Sequence, residues 1–179
     1  MATTLPVESG IIALIPAAED LVCCYRERYD PVAERGVPAH VTVLYPFKPP
    51  DEITPDILST LQNIFSGHPA FDVTFNRTME FPDTLFLEPE PAEPFRELTR
   101  AIAAAYPETP PYGGVYPEII PHLTVAQSEN PEEMDKIRVE FLKDCANGLP
   151  IHARVDEVVL MDNASDRWEV RARFPLAGA

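Results

Sequence analysis

The run Pro38-Ala39-His40-Val41-Thr42-Val43-Leu44-Tyr45-Pro46-Phe47 returns in shortened form as Pro121-His122-Leu123-Thr124-Val125-Ala126. Each copy is a short stretch of β-branched and apolar residues closed off by proline or polar residues, the pattern of a buried strand. Side chains alternate across a strand, so His40 and Thr42 share one face while Val41 and Val43 take the other. His122 and Thr124 stand opposed to Leu123 and Val125 in the same way. Placed side by side near the middle of a sheet, two such strands would bring two imidazoles and two hydroxyls to a single surface.

Working outward, the same order of elements surrounds both copies. Gly10 to Ile15 is an apolar run ending at Pro16, a first strand, and Ala17 to Tyr29 is a helix with Leu21, Val22 and Tyr25 on one face. After the strand of His40, Thr54 and Pro55 mark a helix start as cap and first helical residue, with Ile57, Leu58, Leu61, Ile64 and Phe65 at core spacing and Gly67 as the stop. Phe71, Val73 and Phe75 then alternate as a half-buried strand requires. The second half reads likewise: a strand at Thr84 to Glu88, a helix at Glu93 to Tyr106, the Gly113-Gly114 loop, and the strand of His122. Next comes a helix opened by Asn130-Pro131-Glu132-Glu133 as cap, first-turn proline and capping-box acid, lined by Met134, Ile137, Phe141 and Cys145. A strand at Ile151, Ala153 and Val155 completes the repeat, and nearly the same spacing separates His40 from Phe71 as separates His122 from Ile151. This is the signature of an internal duplication. A hairpin ends the chain, with Trp168, Val170, Ala172 and Phe174 on one face of its second strand. The expected fold is α+β: one domain of two pseudo-symmetric lobes, about 10–80 and 81–161, closed by a 155–175 hairpin, with mostly antiparallel sheets around a central groove and helices packed outside.

Composition limits what such a groove serves. The chain has 179 residues, 45% hydrophobic and 24% charged, enough for one globular core. A formal net charge of −15 argues against gripping an extended polyphosphate backbone, which relies on many Lys and Arg contacts. A small anionic ligand held by a few local donors remains compatible. Cys23, Cys24 and Cys145 have no metal-ligand spacing and form no disulfide framework, which reads as reduced thiols in a cytoplasmic protein. Met1 to Ser9 lacks the basic and apolar segments of an export signal, and no stretch has the length of a membrane span.

Two His-x-Thr motifs at equivalent positions of a duplicated α+β domain resemble the 2H phosphoesterase superfamily, and most nearly its bacterial 2'-5' RNA ligase-like branch. The resemblance covers nearly the whole chain. It implies a phosphodiesterase that needs no metal or other cofactor and acts on 2',3'-cyclic phosphates or 2'-5' linkages of small nucleotides or RNA ends. In that reading His40 and His122 are catalytic, and Thr42 and Thr124 bind the phosphate. The chain departs from many relatives in one respect: it carries Gln127 where an arginine often follows the second motif, which leaves the substrate open.

The residue types suit that chemistry in their own right. Opening a cyclic phosphodiester with water needs a base for the attacking water and an acid for the departing ribose oxygen. Imidazole, with an unperturbed pKa of roughly 6.5, serves either role near neutral pH. Threonine hydroxyls donate to non-bridging oxygens without adding net charge. Which histidine is base and which acid is not readable from sequence. A single His-x-Thr is more often a satisfied strand residue than a catalyst; the duplication changes that balance. His68 and His152 read as a loop residue and a solvent-face residue, and a metal site finds no ligand spacing. Tyr112 and Tyr116, in the Gly-Pro-rich loop before the second motif, are candidates for stacking on a base, with Phe47, Phe86 and Arg77 as weaker substrate contacts. True RNA ligation, or a nucleotide-binding module on the same fold without turnover, are the alternatives. A monomer without membrane or extended nucleic-acid partners is expected.

Overall fold

The computed structural model describes residues 6–179, so Met1–Leu5 of the stretch read for an export signal lie outside the described residues. The elements are β1 (Ser9–Leu14), α1 (Glu19–Tyr29), α2 (Pro31–Glu34), β2 (His40–Leu44), α3 (Pro55–Ser66), β3 (Phe71–Phe81), β4 (Thr84–Glu90), α4 (Glu93–Ala105), β5 (Leu123–Gln127), α5 (Pro131–Cys145), β6 (Ile151–Val155), β7 (Glu157–Asp162) and β8 (Glu169–Pro175). No described helix is long and apolar enough to cross a membrane.

Local chemistry sets the helix starts. The Thr54 hydroxyl accepts the Ile57 N–H at 3.4 Å and Pro55 begins α3. At α5 the Asn130 side chain accepts the N–H groups of Glu132 and Glu133, and Pro131 takes the first position. The expected capping-box bond of Glu133 does not form. Its carboxylate accepts the Ser128 hydroxyl instead, and the Asn130 N–H is taken by the Ser128 oxygen.

The strands form two four-stranded sheets, ordered β2-β1-β7-β8 and β5-β4-β3-β6, with antiparallel ladders throughout. The motif strands are therefore not neighbours in the middle of one sheet. β2 and β5 are edge strands of separate sheets, and they pack against each other across the space between. Nor do the sheets follow the sequence halves 10–80 and 81–161. β3 crosses over to pair with β4 and β6, and β7 returns to pair with β1. The helices cross as well: α1 packs on β5 and α4 packs on β2.

Both motif strands carry the same irregularity. Ile12 faces Thr42 and Ile11 faces Leu44, leaving Val43 as an extra residue; Phe86 faces Thr124 and Leu85 faces Ala126, leaving Val125. A bulge of this kind bends the strand and re-aims the side chains beside it. The bulge in β2 also displaces a carbonyl, that of Val43, which accepts the buried Thr99 hydroxyl of α4 at 2.7 Å.

The main core includes the fully buried Phe65, Phe75, Phe95 and Phe141. A second apolar cluster of Ile12, Val37, Val159, Met161 and Trp168 covers the opposite face of the first sheet. β1 is thus buried on both faces, which is why it reads as an apolar run without alternation. The hairpin departs from the one-face expectation. A register shift between Leu160 and Met161 leaves Arg171 as an extra residue, so Ala172 and Phe174 meet the main core while Trp168 joins the second cluster and Val170 is exposed.

Replacing Thr99 by Val removes the donor to the Val43 carbonyl while keeping the side-chain volume. Urea denaturation is expected to show a loss of about 1–3 kcal/mol, the cost of a buried acceptor left unpaired; an unchanged midpoint would show that the bond does not hold β2.

Candidate active site

β2 and β5 bring both motifs to one cleft of about 250 Å³, lined by His40, Thr42, His122 and Thr124. The two histidines are held identically. His40 Nδ1 lies 2.8 Å from the Pro38 carbonyl and His122 Nδ1 lies 2.8 Å from the Ile120 carbonyl. A carbonyl oxygen only accepts, so each Nδ1 carries the proton and each neutral ring keeps its Nε2 lone pair available. The X-x-His spacing does this locally, because the strand's entry turns back on its own first residue.

The surroundings of the two rings differ. His122 is flanked by Phe81 and Phe86, with ring centroids 5.2 and 5.4 Å away. Burial lowers its pKa, opposed by the bond to the Ile120 carbonyl. His40 is lowered further, to about 4, chiefly by burial and then by the charge of Arg26; the Pro38 carbonyl and Asp30 oppose this, and His122 adds to it. Both rings nonetheless keep part of their surface open to the cleft.

The rest of the lining divides by character. Gly10, Ile12, Val32, Val37, Met161 and Trp168 form an apolar wall from the first sheet and the chain after α1. Asp30, Tyr45, Tyr112 and Gln127 supply polar groups, and no Lys or Arg lines the cleft among the described residues. The Tyr45 hydroxyl donates to Glu8 at 2.6 Å, and burial with this carboxylate raises its pKa to about 12. Tyr112 sits in a left-handed conformation (φ 51°) followed by Gly113 and Gly114, also at positive φ, and its N–H donates to the Tyr45 carbonyl at 2.6 Å. That turn directs the phenol into the cleft. Burial raises its pKa, opposed by the neighbouring Thr42 hydroxyl. Next to this cleft, sharing Asp30 and Gln127, is a wider one of about 520 Å³ whose lining carries Glu27, Glu34, Asp83, Glu129 and Glu133 against the single base Arg28.

Four residues named from sequence as substrate contacts lie elsewhere. Phe47 is buried against Tyr106 in the main core. Phe86 is buried behind His122 and supports that ring. Arg77 is exposed on β3 and paired with Glu88 at 2.6 Å. Tyr116 is 67% exposed and packs edge-on against Tyr112 outside the lining. Residue type carries no information about sheet face. Sequence reasoning missed Trp168, because a bulge moved it to the cleft face, and it missed Arg26 and Asp30. A signal was present for Arg26: it follows Val22 by four residues on the buried stripe of α1, where an apolar residue is expected, and Asp30 comes four residues later as the extended C-cap.

Among the described residues no group of three or more His, Cys, Asp or Glu is placed to hold a metal ion. Cys23 and Cys24 lie together on α1 with Sγ atoms 3.8 Å apart, and Cys145 is buried.

With this geometry in place, the chain can be set beside known proteins. The model of a family described as the 2'-5' RNA ligase superfamily matches residues 14–167. A protein of Staphylococcus aureus (strain Newman), whose name provisionally calls it a phosphoesterase, is 28% identical over 174 residues, covering 93% of this chain and 98% of its own. Among solved structures, a protein of Thermus thermophilus superposes with a TM-score of 0.61 at 19% identity over 96% of this chain and 98% of its own. Escherichia coli LigT in complex with 3'-AMP superposes with a TM-score of 0.59 at 15% identity over 96% and 99%. These two share the α+β fold of paired antiparallel sheets.

A His lowered from about 6.5 stabilises the fold in its neutral form, so stability is full above pH 6.5 and falls as pH drops toward about 4, where the unfolded chain binds the extra proton. Thermal melts between pH 7 and pH 4 should therefore fall less steeply in His40→Asn than in the wild type. Parallel curves would show that His40 is not held neutral.

Proposed function

The chain belongs to the 2'-5' RNA ligase superfamily, and we propose that within it this protein is a phosphodiesterase that hydrolyses 2',3'-cyclic or 2'-5' phosphodiester bonds of small nucleotides or RNA ends. The observation that carries this reading is the symmetric pair of imidazoles, each fixed through Nδ1 to a backbone carbonyl and each leaving Nε2 for the cleft they share.

The reaction needs two proton transfers at one phosphorus. One neutral imidazole takes a proton from water through Nε2 as the water oxygen bonds to phosphorus. The other, protonated, gives its Nε2 proton to the ribose oxygen as the P–O bond breaks. Each positioned transfer contributes roughly 100- to 10,000-fold. Thr42 and Thr124 donate to the non-bridging oxygens, where charge builds in the transition state. The bound phosphodiester's negative charge favours the protonated form of one ring, offsetting the burial that keeps both neutral in the empty cleft. Two imidazoles and two hydroxyls make a proton-transfer set, and threonine is a poor metal ligand.

The apolar wall of Ile12, Val37, Met161 and Trp168 beside the motifs offers apolar surface for a nucleobase, and Tyr112 lines the same cleft. A small substrate also fits the charge. An extended RNA passing out through the acidic neighbouring cleft would meet several carboxylates and one arginine, which disfavours ligation of long strands.

Hydrolysis of 2',3'-cyclic mononucleotides and a 2'-5' linked dinucleotide in excess EDTA tests this directly. His40→Ala and His122→Ala should each lose at least about 100-fold in kcat/KM, and the wild-type pH profile should be bell-shaped. Activity abolished by EDTA, or untouched by either substitution, would overturn the mechanism. Trp168 is the chain's single tryptophan, so its emission reports on the wall selectively. A mononucleotide is expected to change that emission, and ribose 5-phosphate is expected not to; equal responses would refute the seat for the base.

A further inference from the structure

Among the described residues, two that are not glycine adopt a positive φ, Asp166 and Tyr112. Aspartate tolerates the left-handed region, whereas a bulky side chain there is an outlier. Tyr112 (φ 51°, ψ 36°) is followed by Gly113 (φ 64°) and Gly114 (φ 74°), so three successive residues turn left-handed. The backbone alone would be better served by glycine or asparagine at the first of them. Strain of this kind persists where the surrounding structure over-determines it, and it gathers at functional sites.

The surroundings do fix this turn. On one side of it Lys48 pairs with Glu108 at 2.5 Å, and on the other Arg96 Nε donates to the Ile119 carbonyl at 3.0 Å. At the turn itself the Tyr112 N–H donates to the Tyr45 carbonyl at 2.6 Å, which holds the loop against the end of β2, just beyond Thr42. The Gly113 N–H closes the turn onto the Pro110 carbonyl at 3.0 Å. The phenol held in this way lines the cleft with Thr42, Thr124 and both histidines. Its ring belongs to neither apolar cluster, and its aromatic neighbour, Tyr116 at 5.8 Å between centroids, is itself 67% exposed. Core packing therefore does not account for a tyrosine at this position.

The chemistry of the cleft gives the phenol a use. A phosphodiester brings one negative charge and two non-bridging oxygens, each able to accept more than one hydrogen bond. No Lys or Arg lines the cleft among the described residues, so neutral donors have to meet that charge. The Tyr45 hydroxyl is already given to Glu8 at 2.6 Å, and Gln127 stands at the rim shared with the neighbouring cleft. We propose that Tyr112 is a further phosphate-binding residue: the left-handed turn holds its phenol beside Thr42, and the hydroxyl donates a third hydrogen bond, after those of Thr42 and Thr124, to the non-bridging oxygens. This role rests on the phosphodiester reading of the site. Burial raises the pKa of the phenol, so it stays a donor through the range in which the imidazoles titrate.

Binding of inorganic phosphate, followed by isothermal titration calorimetry, reads this role without turnover. Tyr112→Phe keeps the ring and removes only the hydroxyl. It is expected to melt like the wild type and to bind phosphate about 10-fold or more weakly, the scale of a hydrogen bond to a charged group. Its kcat/KM for a 2',3'-cyclic mononucleotide should fall by at least as much. In Gly113→Ala the added Cβ meets nothing within 4 Å, yet the left-handed φ disfavours alanine, so phosphate binding should weaken with the phenol still present. Tyr116→Phe should bind phosphate like the wild type. Unchanged phosphate binding in Tyr112→Phe or in Gly113→Ala, an equal loss in Tyr116→Phe, or no phosphate binding by the wild type would overturn the assignment. The two readings fail separately. Weakened phosphate binding in Tyr112→Phe without hydrolysis by the wild type would keep this role and sink the phosphodiesterase, and hydrolysis that Tyr112→Phe leaves untouched would do the reverse.

Discussion

Neither half of this chain can bury its own motif strand. β2 and β5 each sit at the edge of a sheet, with one ladder partner apiece, and each is covered by a helix from the other half, α4 over β2 and α1 over β5. An edge strand left open is a pairing hazard and exposes unpaired backbone groups. The crossed helices cover both strands, and the two edges pack against each other. Thr99 shows the exchange at atomic scale: a hydroxyl from the second half takes the carbonyl freed by the bulge in the first half's motif. The cleft is the space between these two covered edges. It exists only when both halves are folded together.

Within that cleft, identical motifs acquire unlike surroundings. The Nδ1 bonds to Pro38 and Ile120 are the same length and fix the same tautomer, because they are made within each strand's own entry. Beyond that distance the duplication no longer holds. His122 has two phenylalanine rings for neighbours, while burial pushes the His40 imidazole further down, to about 4. The proposed hydrolysis, which needs one base and one acid, would gain from such asymmetry, since two rings with the same pKa could not each be mostly in the required form at one pH. The bulges at Val43 and Val125 belong to the shared part of the design, placing the residue after each threonine out of register.

The charge is unevenly distributed between the two clefts. A chain of net charge −15 presents carboxylates around the neighbouring cleft, while the lining of the cleft that holds the two motifs has Asp30 as its one acidic residue and is half apolar. That lining offers hydroxyls, aromatic rings and an apolar wall. Gln127 stands on the rim between the two clefts as a neutral amide, consistent with that economy of charge.

Much was legible in the residues because it depends on local chemistry. The period-two pattern around both histidines, the caps at Thr54 and Asn130, and the repeated order of strand, helix and strand all follow from neighbours within a few positions, and they point to an α+β fold carrying two His-Thr pairs. Sheet membership was not legible, since a strand's pattern says which of its faces is apolar and nothing about which strand lies beside it. Trp168 reached the cleft through one extra residue in β8, which reverses the faces of everything before it. Arg26 broke an otherwise apolar stripe, a visible anomaly whose meaning depended on which strand α1 would cover. The sequence by itself determined the elements, the motifs and the tautomer-fixing spacing. Tertiary structure alone decided which edges meet, which residues surround each imidazole, and hence how two copies of one motif come to differ, because those are long-range contacts that no local pattern encodes.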